Sequence, residues 1–220
     1  MTTNVLKNNT KDNTLEFRPF QEQDREGLEE IVNQTWNYDR FGYAPEVSRE
    51  FSHTDLMSCM SIATFSEVAL LNGRPVGFIF GRNDGEWDDN ARRASKRLVR
   101  GIRRKSFWTG TGRLLNGYRS LYERSNEKLL NGTGKDYQGE LVFFAVSPEA
   151  RGMGVGGRLF GDFLSYMKQC KIDTFYVFTD TTCDYSFYDR NGFKRMGEVR
   201  EKAEFRRGEE ICFFVYEYAL

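Results

Sequence analysis

The stretch LVFFAVSPEARGMGVGGRLFGDFLSYMK, Leu141 to Lys168, leaves a chain few ways to fold. Leu141 to Val146 contains aliphatic and aromatic residues with no polar member, the pattern of a strand covered on both faces. Pro148 cannot donate to a ladder and ends that strand. Further on, Val155, Leu159, Phe160, Phe163, Leu164 and Met167 recur at helical spacing, so the helix that follows has one apolar face. Between strand and helix lies a glycine-rich turn with Gly152, Gly154, Gly156 and Gly157. Four glycines in six residues are costly at a helix start unless something else requires them.

Bare N–H groups and the helix dipole make such a turn a place for phosphate, and Arg151 sets a fixed cation beside it. Two phosphate-binding patterns compete here. Gly152, Gly154 and Gly157 satisfy G-x-G-x-x-G, and Asp180 ends the next predicted strand, as a dinucleotide site would want. Ser147 to Arg151 nevertheless separate the strand from the glycines, and the tail after Asp180 is too short for a further series of βα units.

The second pattern uses more of the neighbourhood. Arg151, Gly154 and Gly156 form R-x-x-G-x-G after V-S-P-E-A, and Phe187, Tyr188, Gly192 and Phe193 form F-Y-x-x-x-G-F. Together these resemble the two signatures of the GNAT acetyltransferase superfamily, over about the last third of the chain. The resemblance implies an acetyl-CoA-dependent N-acetyltransferase working by direct attack on a primary amine in a ternary complex. The implied fold is α/β (α+β), a mixed, mainly antiparallel sheet flanked by helices.

It also implies roles for particular residues. The loop Arg151, Gly152, Met153, Gly154, Val155, Gly156 and Gly157 would bind the pyrophosphate of acetyl-CoA. The backbone of Ala145 and Val146 would pair with the pantetheine arm and present an amide to the thioester carbonyl. Tyr188 would protonate the departing thiolate. Glu140 resembles the glutamate that some members use as general base, and a role as a strand-end substrate contact is equally open. Thr181 stands where the usual second signature, N-x-x-A-x-x-F-Y, has Asn, and Asp184 where it has Ala. Cys183, in the same turn, would line the cofactor channel without acting as a nucleophile, because no histidine is placed to activate it.

With 220 residues, 39 % hydrophobic and 15 % aromatic, the chain suits one GNAT-like domain over residues 1–220. No apolar run reaches membrane-helix length and the start MTTNVLKNNTKDNT has no apolar signal region, so no membrane partner and a cytoplasmic location are expected. Cys59, Cys170, Cys183 and Cys212 show no metal-ligand spacing, and His53 is the one histidine, so no metal is expected. His53, with no evident partner, reads as a surface residue.

Taken in order, residues 1–13 read as a frayed polar start, Leu15 to Arg18 as a strand and Gln21 to Trp36 as a helix. Leu28, Ile31, Val32 and Thr35 form the apolar face of that helix. Phe41 to Glu46 reads as a turn, and Val47 to Ile62 as a second helix. Glu67 to Leu71 and Val76 to Phe80 form a hairpin about Asn72 and Gly73. After the glycine-rich helix come a strand at Thr174 to Thr179, a short helix at Tyr185 to Arg190 capped by Asn191 and Gly192, and strands at Phe193 to Val199 and Glu210 to Tyr218.

Residues 82–137 interrupt this series. They hold 14 Lys and Arg against 7 Asp and Glu, a surplus of seven in a chain of zero net charge. Ala91, Ala94, Leu98, Val99 and Ile102 mark one helical face, and Leu114, Tyr118, Leu121 and Tyr122 another, which gives a basic helical hairpin broken near Thr109 to Gly112. The basic helix is expected to face an acidic acceptor or partner, to clamp the CoA phosphates, or to remain a solvated face. An acceptor that is a small molecule, a peptide lysine or a protein N-terminus, a nucleic-acid or ribosome-associated role, and a homodimer all remain open.

Overall fold

The computed structural model describes residues 4–8, 13–36, 38, 44–108 and 111–220. Residues 41–43 of the expected turn and 109–110 of the expected break fall outside them, while Pro45 and Glu46, expected in the turn, already belong to the helix that follows. Eight strands form one sheet: β1 Asn4–Asn8, β2 Asn13–Arg18, β3 Phe65–Leu71, β4 Arg74–Asn83, β5 Gly139–Val146, β6 Thr174–Asp180, β7 Lys194–Ala203 and β8 Glu209–Ala219. Their order is β1-β2-β3-β4-β5-β6-β8-β7, and each pair is antiparallel except β5 with β6. The expectation of a frayed start is corrected at one place, since Asn4–Asn8 pairs with β2 from Asn4 opposite Phe17 to Asn8 opposite Asn13.

The helices are α1 Arg25–Trp36, α2 Pro45–Met60, α3 Asp89–Trp108, α4 Gly112–Thr133, α5 Val155–Gln169 and α6 Ser186–Arg190. Period-two alternation in the strands divides the core in two. Ile211, Phe213 and Val215 of β8 join the cluster under α1, α2 and α4, while Phe214 and Tyr216 join the cluster under α5 and α6. The same division holds in β3, where Val68 and Leu70 face the first cluster and Ala69 the second. The β3–β4 hairpin closes on Asn72 and Gly73, whose φ of 53° and 79° is the left-handed pair that a two-residue turn of this twist needs.

The inserted segment is a helical hairpin, as its periodicity implies, but its two helices differ in what they bury. Leu115, Tyr118, Leu121 and Leu129 of α4 are buried in the first core cluster. By contrast α3 packs on α4 and α2 at the margin, and its expected apolar stripe is not core: Leu98 is 38 % exposed, Ala94 is exposed and Ser95 is buried instead, its hydroxyl 2.8 Å from that of Ser61. The surplus cations of the segment are partly met by acids of the sheet, through Lys135 with Glu217 at 2.6 Å, Lys128 with Glu201 at 2.8 Å and Arg82 with Glu140 at 2.7 Å.

Candidate active site

The central break in the sheet comes from the parallel pair. β5 and β6 share one register position, Glu140 opposite Tyr176, and beyond it residues 142–146 and 177–180 line a cavity of about 860 Å³ instead of pairing with each other. This explains why Val142, Phe143 and Phe144 are only half-buried in a strand whose sequence reads as covered on both faces: they border the cavity. Ala145 and Val146 line it too, held on their other edge by β4 opposite Phe78 and Gly77.

One end of the cavity is formed by the glycine-rich turn, with Arg151, Gly152, Gly154, Val155, Gly156 and Gly157 all on its wall. Gly154 caps α5 with φ 78°, a conformation that side chains with a Cβ rarely adopt. A Cβ added at Gly152, Gly154 or Gly157 would meet no protein atom within 4 Å, so these glycines are not there to let protein pack closely. The first backbone bond of the helix runs from Arg158 N–H to the Gly154 carbonyl, which leaves the N–H groups of Val155, Gly156 and Gly157 bare at the positive end of a four-turn helix. Such a cradle fits a pyrophosphate.

Two residues of the sequence reading sit elsewhere. Met153 is not on the cavity wall; its side chain packs against the second core cluster and its N–H donates to the Ala150 carbonyl. Thr181 is likewise drawn away, because its N–H donates to the Cys212 carbonyl and its hydroxyl accepts from the Cys212 N–H, which ties it to β8.

Tyr188, on α6, lines the cavity between the two ends and is 8 % exposed. Burial pushes its hydroxyl well above the ordinary tyrosine value, so it stays protonated at neutral pH. Cys183 is also on the wall, and burial, then the Asp180 charge, push its thiol up to about 12, which keeps it from being a thiolate. Glu140 closes the narrow end of the wedge. Burial raises its carboxyl, while Arg82 and the Tyr176 hydroxyl, which donates to it at 3.0 Å, pull it back. His53 lies off the cavity wall, with its Nδ1 2.7 Å from Glu29 Oε1; the partner that the sequence did not reveal comes from α1.

The opposite end of the cavity is built from side chains that sequence reasoning did not assemble. Trp36 of α1, Asp55, Ser58 and Cys59 of α2, and Tyr118, Arg119, Tyr122, Glu123 and Asn126 of α4 meet there with Asp180 at the end of β6. Asp55 accepts hydrogen bonds from Tyr118, at 2.6 Å, and from Tyr38; burial raises its carboxyl to about 6. Asp180 accepts from Tyr122 at 3.0 Å and from the Thr182 N–H at 2.6 Å, and burial raises it as well. One sequence signal existed for Asp55, which stands four residues after the buried Phe51 on the inward face of α2. Among the described residues no basic side chain of α3 reaches the cavity, and no three His, Cys, Asp or Glu side chains form a metal-holding group. No helix among them is long and apolar enough to cross a membrane.

Comparison with known proteins agrees with this geometry. Among solved structures, the PaiA N-acetyltransferase of Thermoplasma acidophilum in complex with coenzyme A is 15 % identical with a TM-score of 0.52, covering 94 % of this chain and 99 % of that one. PH1933 of Pyrococcus horikoshii is 15 % identical, TM-score 0.57, over 94 % and 98 % of the two chains. The ribosomal-protein-S18-alanine N-acetyltransferase of Escherichia coli is 10 % identical, TM-score 0.52, over 93 % of each. At such identities the likeness speaks for the fold. No curated protein sequence matches at a significant level. The family model described as acetyltransferase (GNAT) family matches residues 26–193, well over half of the sequence, and with a sheet splayed at the parallel pair above a glycine-capped helix, the chain belongs to that acetyltransferase family.

Proposed function

We propose that the protein transfers the acetyl group of acetyl-CoA to a primary amine by direct attack in a ternary complex. The observation that carries this reading is the wedge between β5 and β6, which ends on three bare amides of α5 beside Arg151. The pyrophosphate would sit on Val155, Gly156 and Gly157, and the pantetheine arm would complete the free edge of β5 at Ala145 and Val146. An amide on that edge would donate to the carbonyl oxygen as it gains charge. The neutral amine attacks the carbonyl carbon, the N–C bond forms, the C–S bond breaks, and the Tyr188 hydroxyl gives its proton to the thiolate; the acetylated nitrogen releases its proton to water, and the tyrosinate takes one back from water. Glu140, already paired with Arg82, is a weaker proton acceptor than a free carboxylate of equal burial; its part is to hold the closed end of the wedge and to orient the acceptor.

Thiol release from acetyl-CoA in the presence of a panel of amines tests the reading. Turnover that requires an amine supports it, and Gly154→Val should abolish it by forcing a β-branched residue into the left-handed region beside the pyrophosphate. A chain that binds no acetyl-CoA would overturn the assignment. The four free thiols fit a reducing, cytoplasmic location.

One observation favours a second role. Arg92, Arg93, Lys96, Arg97, Arg100 and Arg104 of α3 are exposed, away from the cavity, as a nucleic-acid contact would have them. Binding of RNA that weakens steeply with salt, with acetyl-CoA affinity unchanged, would support that role; salt-independent binding would exclude it.

A further inference from the structure

We propose that the acceptor enters as a cationic aliphatic amine and that Asp55 and Asp180 receive its positive charge at the end of the cavity formed by α2, α4 and β6. The inference rests on the acetyl-transfer reading and reverses the charge that the basic insertion suggests.

The cavity exists independently of its acids, and its charge is one-sided at this end. Three carboxylates, Asp55, Glu123 and Asp180, face one guanidinium, Arg119; Glu140 is already balanced by Arg82. The Arg119 side chain lies 3.5 Å from Glu123 and its charge also reaches Asp55, while Arg206, off the cavity wall, reaches Asp180; on the wall itself the acids of this end still outnumber the cations by three to one. Among the described residues neither Asp55 nor Asp180 makes an ion pair. Each is instead held by neutral donors: tyrosine hydroxyls on both, and for Asp180 also the Thr182 N–H. Neutral donors fix a carboxylate in place and leave its charge for something else. A buried carboxylate without a cation is unfavourable, and a cationic ligand relieves that cost.

The two acids also lie along one path. Tyr118 donates to Asp55 at 2.6 Å, its ring centroid lies 4.5 Å from that of Tyr122, and Tyr122 donates to Asp180 at 3.0 Å. Trp36, Tyr118 and Tyr122 frame this end with aromatic faces, which favour a desolvated ammonium over an anion. Ser58 Oγ, buried on the same wall without a hydrogen-bond partner, offers one more acceptor for an N–H donor. The cations of α3 contribute nothing here, since none of those described lines the cavity.

Three probes of equal chain length separate the alternatives: 1,4-diaminobutane, butylamine and 4-aminobutanoate, which carry an ammonium, a methyl and a carboxylate at the far end. Calorimetric titration of each in the presence of CoA reads binding, and thiol release from acetyl-CoA reads turnover. We expect the diamine to bind best and the amino acid at least tenfold more weakly than butylamine. Asp55→Asn should cost the diamine roughly ten- to a hundredfold in kcat/KM, mostly through KM, the size of a lost hydrogen bond between charged groups. The variant should retain its stabilisation by acetyl-CoA, which shows that it folds. His53→Ala, on the same helix but off the cavity, should leave the order of the probes unchanged. Preference for 4-aminobutanoate, abolished by Arg119→Gln, would overturn the proposal in favour of a zwitterionic acceptor bound through the Arg119 Nη1 atom, which is buried and unpartnered. No saturable binding of the diamine while acetyl-CoA binds would overturn it and leave acetyl transfer standing. Failure to bind acetyl-CoA would remove both.

Discussion

Tyr188 shows how a residue can be singled out by the sequence while its environment is not legible there. Its place in F-Y-x-x-x-G-F pointed to the leaving group, and its ring is packed against Phe193 and Tyr216 with the hydroxyl in a buried site that holds it protonated. Tyr188→Phe retains the packing and removes the proton, so turnover should fall roughly 100- to 10,000-fold with acetyl-CoA affinity nearly unchanged. Steady-state kinetics beside equilibrium titration of acetyl-CoA check both halves, and unchanged turnover would reduce Tyr188 to a packing residue. Asp55 gives a prediction of a different kind. Burial raises its carboxyl from 3.8 to about 6, so between those values the folded chain binds more protons than the unfolded one and stability falls as pH rises. The rise corresponds to about 3 kcal/mol, present below pH 4 and lost above pH 6. Asp55→Asn should therefore be more stable than the parent by up to that amount at pH 8, with the gap closing by pH 4. Urea denaturation at both pH values measures it, and a gap independent of pH would contradict the assignment.

Among the elements, the inserted hairpin departs most from expectation. A basic segment set between two strands looks removable, because a tight turn can close an antiparallel pair. In the fold, α4 supplies Leu115, Leu121 and Leu129 to the core and Tyr118 and Tyr122 to the cavity. Replacing residues 84–138 by a Gly-Ser turn should thus expose core and yield a chain without a cooperative unfolding transition. Leu121→Ala alone should cost about 2–5 kcal/mol, the usual range for emptying a buried leucine site. A scanning calorimetry trace of the deleted chain with a sharp transition would show that α4 is dispensable after all. The helix α3 is the reverse case. Its stripe of Ala94, Leu98 and Ile102 has helical period, but periodicity marks a face and does not say that another surface covers it.

Over the whole molecule the two core clusters lie on opposite faces of a sheet that is open at its centre, so a ligand in the wedge would join β5 to β6 where the chain itself does not. Acetyl-CoA at 100 times its dissociation constant should stabilise the fold by about 2.7 kcal/mol, which for a chain of this size is a rise in Tm of roughly 5–10 °C. NAD at the same concentration should produce no shift, and the opposite pattern would reinstate the dinucleotide reading of Gly152, Gly154 and Gly157. Thermal melts with the two ligands decide between them.

The glycine-turn end of the cavity was legible in the sequence because it is local. Strand, glycine turn and helix are consecutive, their demands are on backbone conformation and amide direction, and Arg151 to Gly157 carry both in seven residues. The sheet strands and most helices could be placed for the same reason, since alternation and helical period are properties of short segments. The opposite end of the cavity could not be read this way. Asp55, Tyr118, Tyr122 and Asp180 come from three elements separated by up to 125 positions, and each alone is an ordinary polar or aromatic residue on an amphipathic helix or at a strand end. Only packing α2 and α4 together over the splayed end of β6 removes water from these groups. That shared desolvation raises both carboxyls, gives them their neutral tyrosine partners, and turns the outward charge of α3 into something the cavity never meets. Sequence by itself determined the turn and its bare amides at one end of the cavity, through backbone geometry written in glycine, whereas the charge gathered at the other end was decided by tertiary structure, because burial and neighbours set the charge of a site.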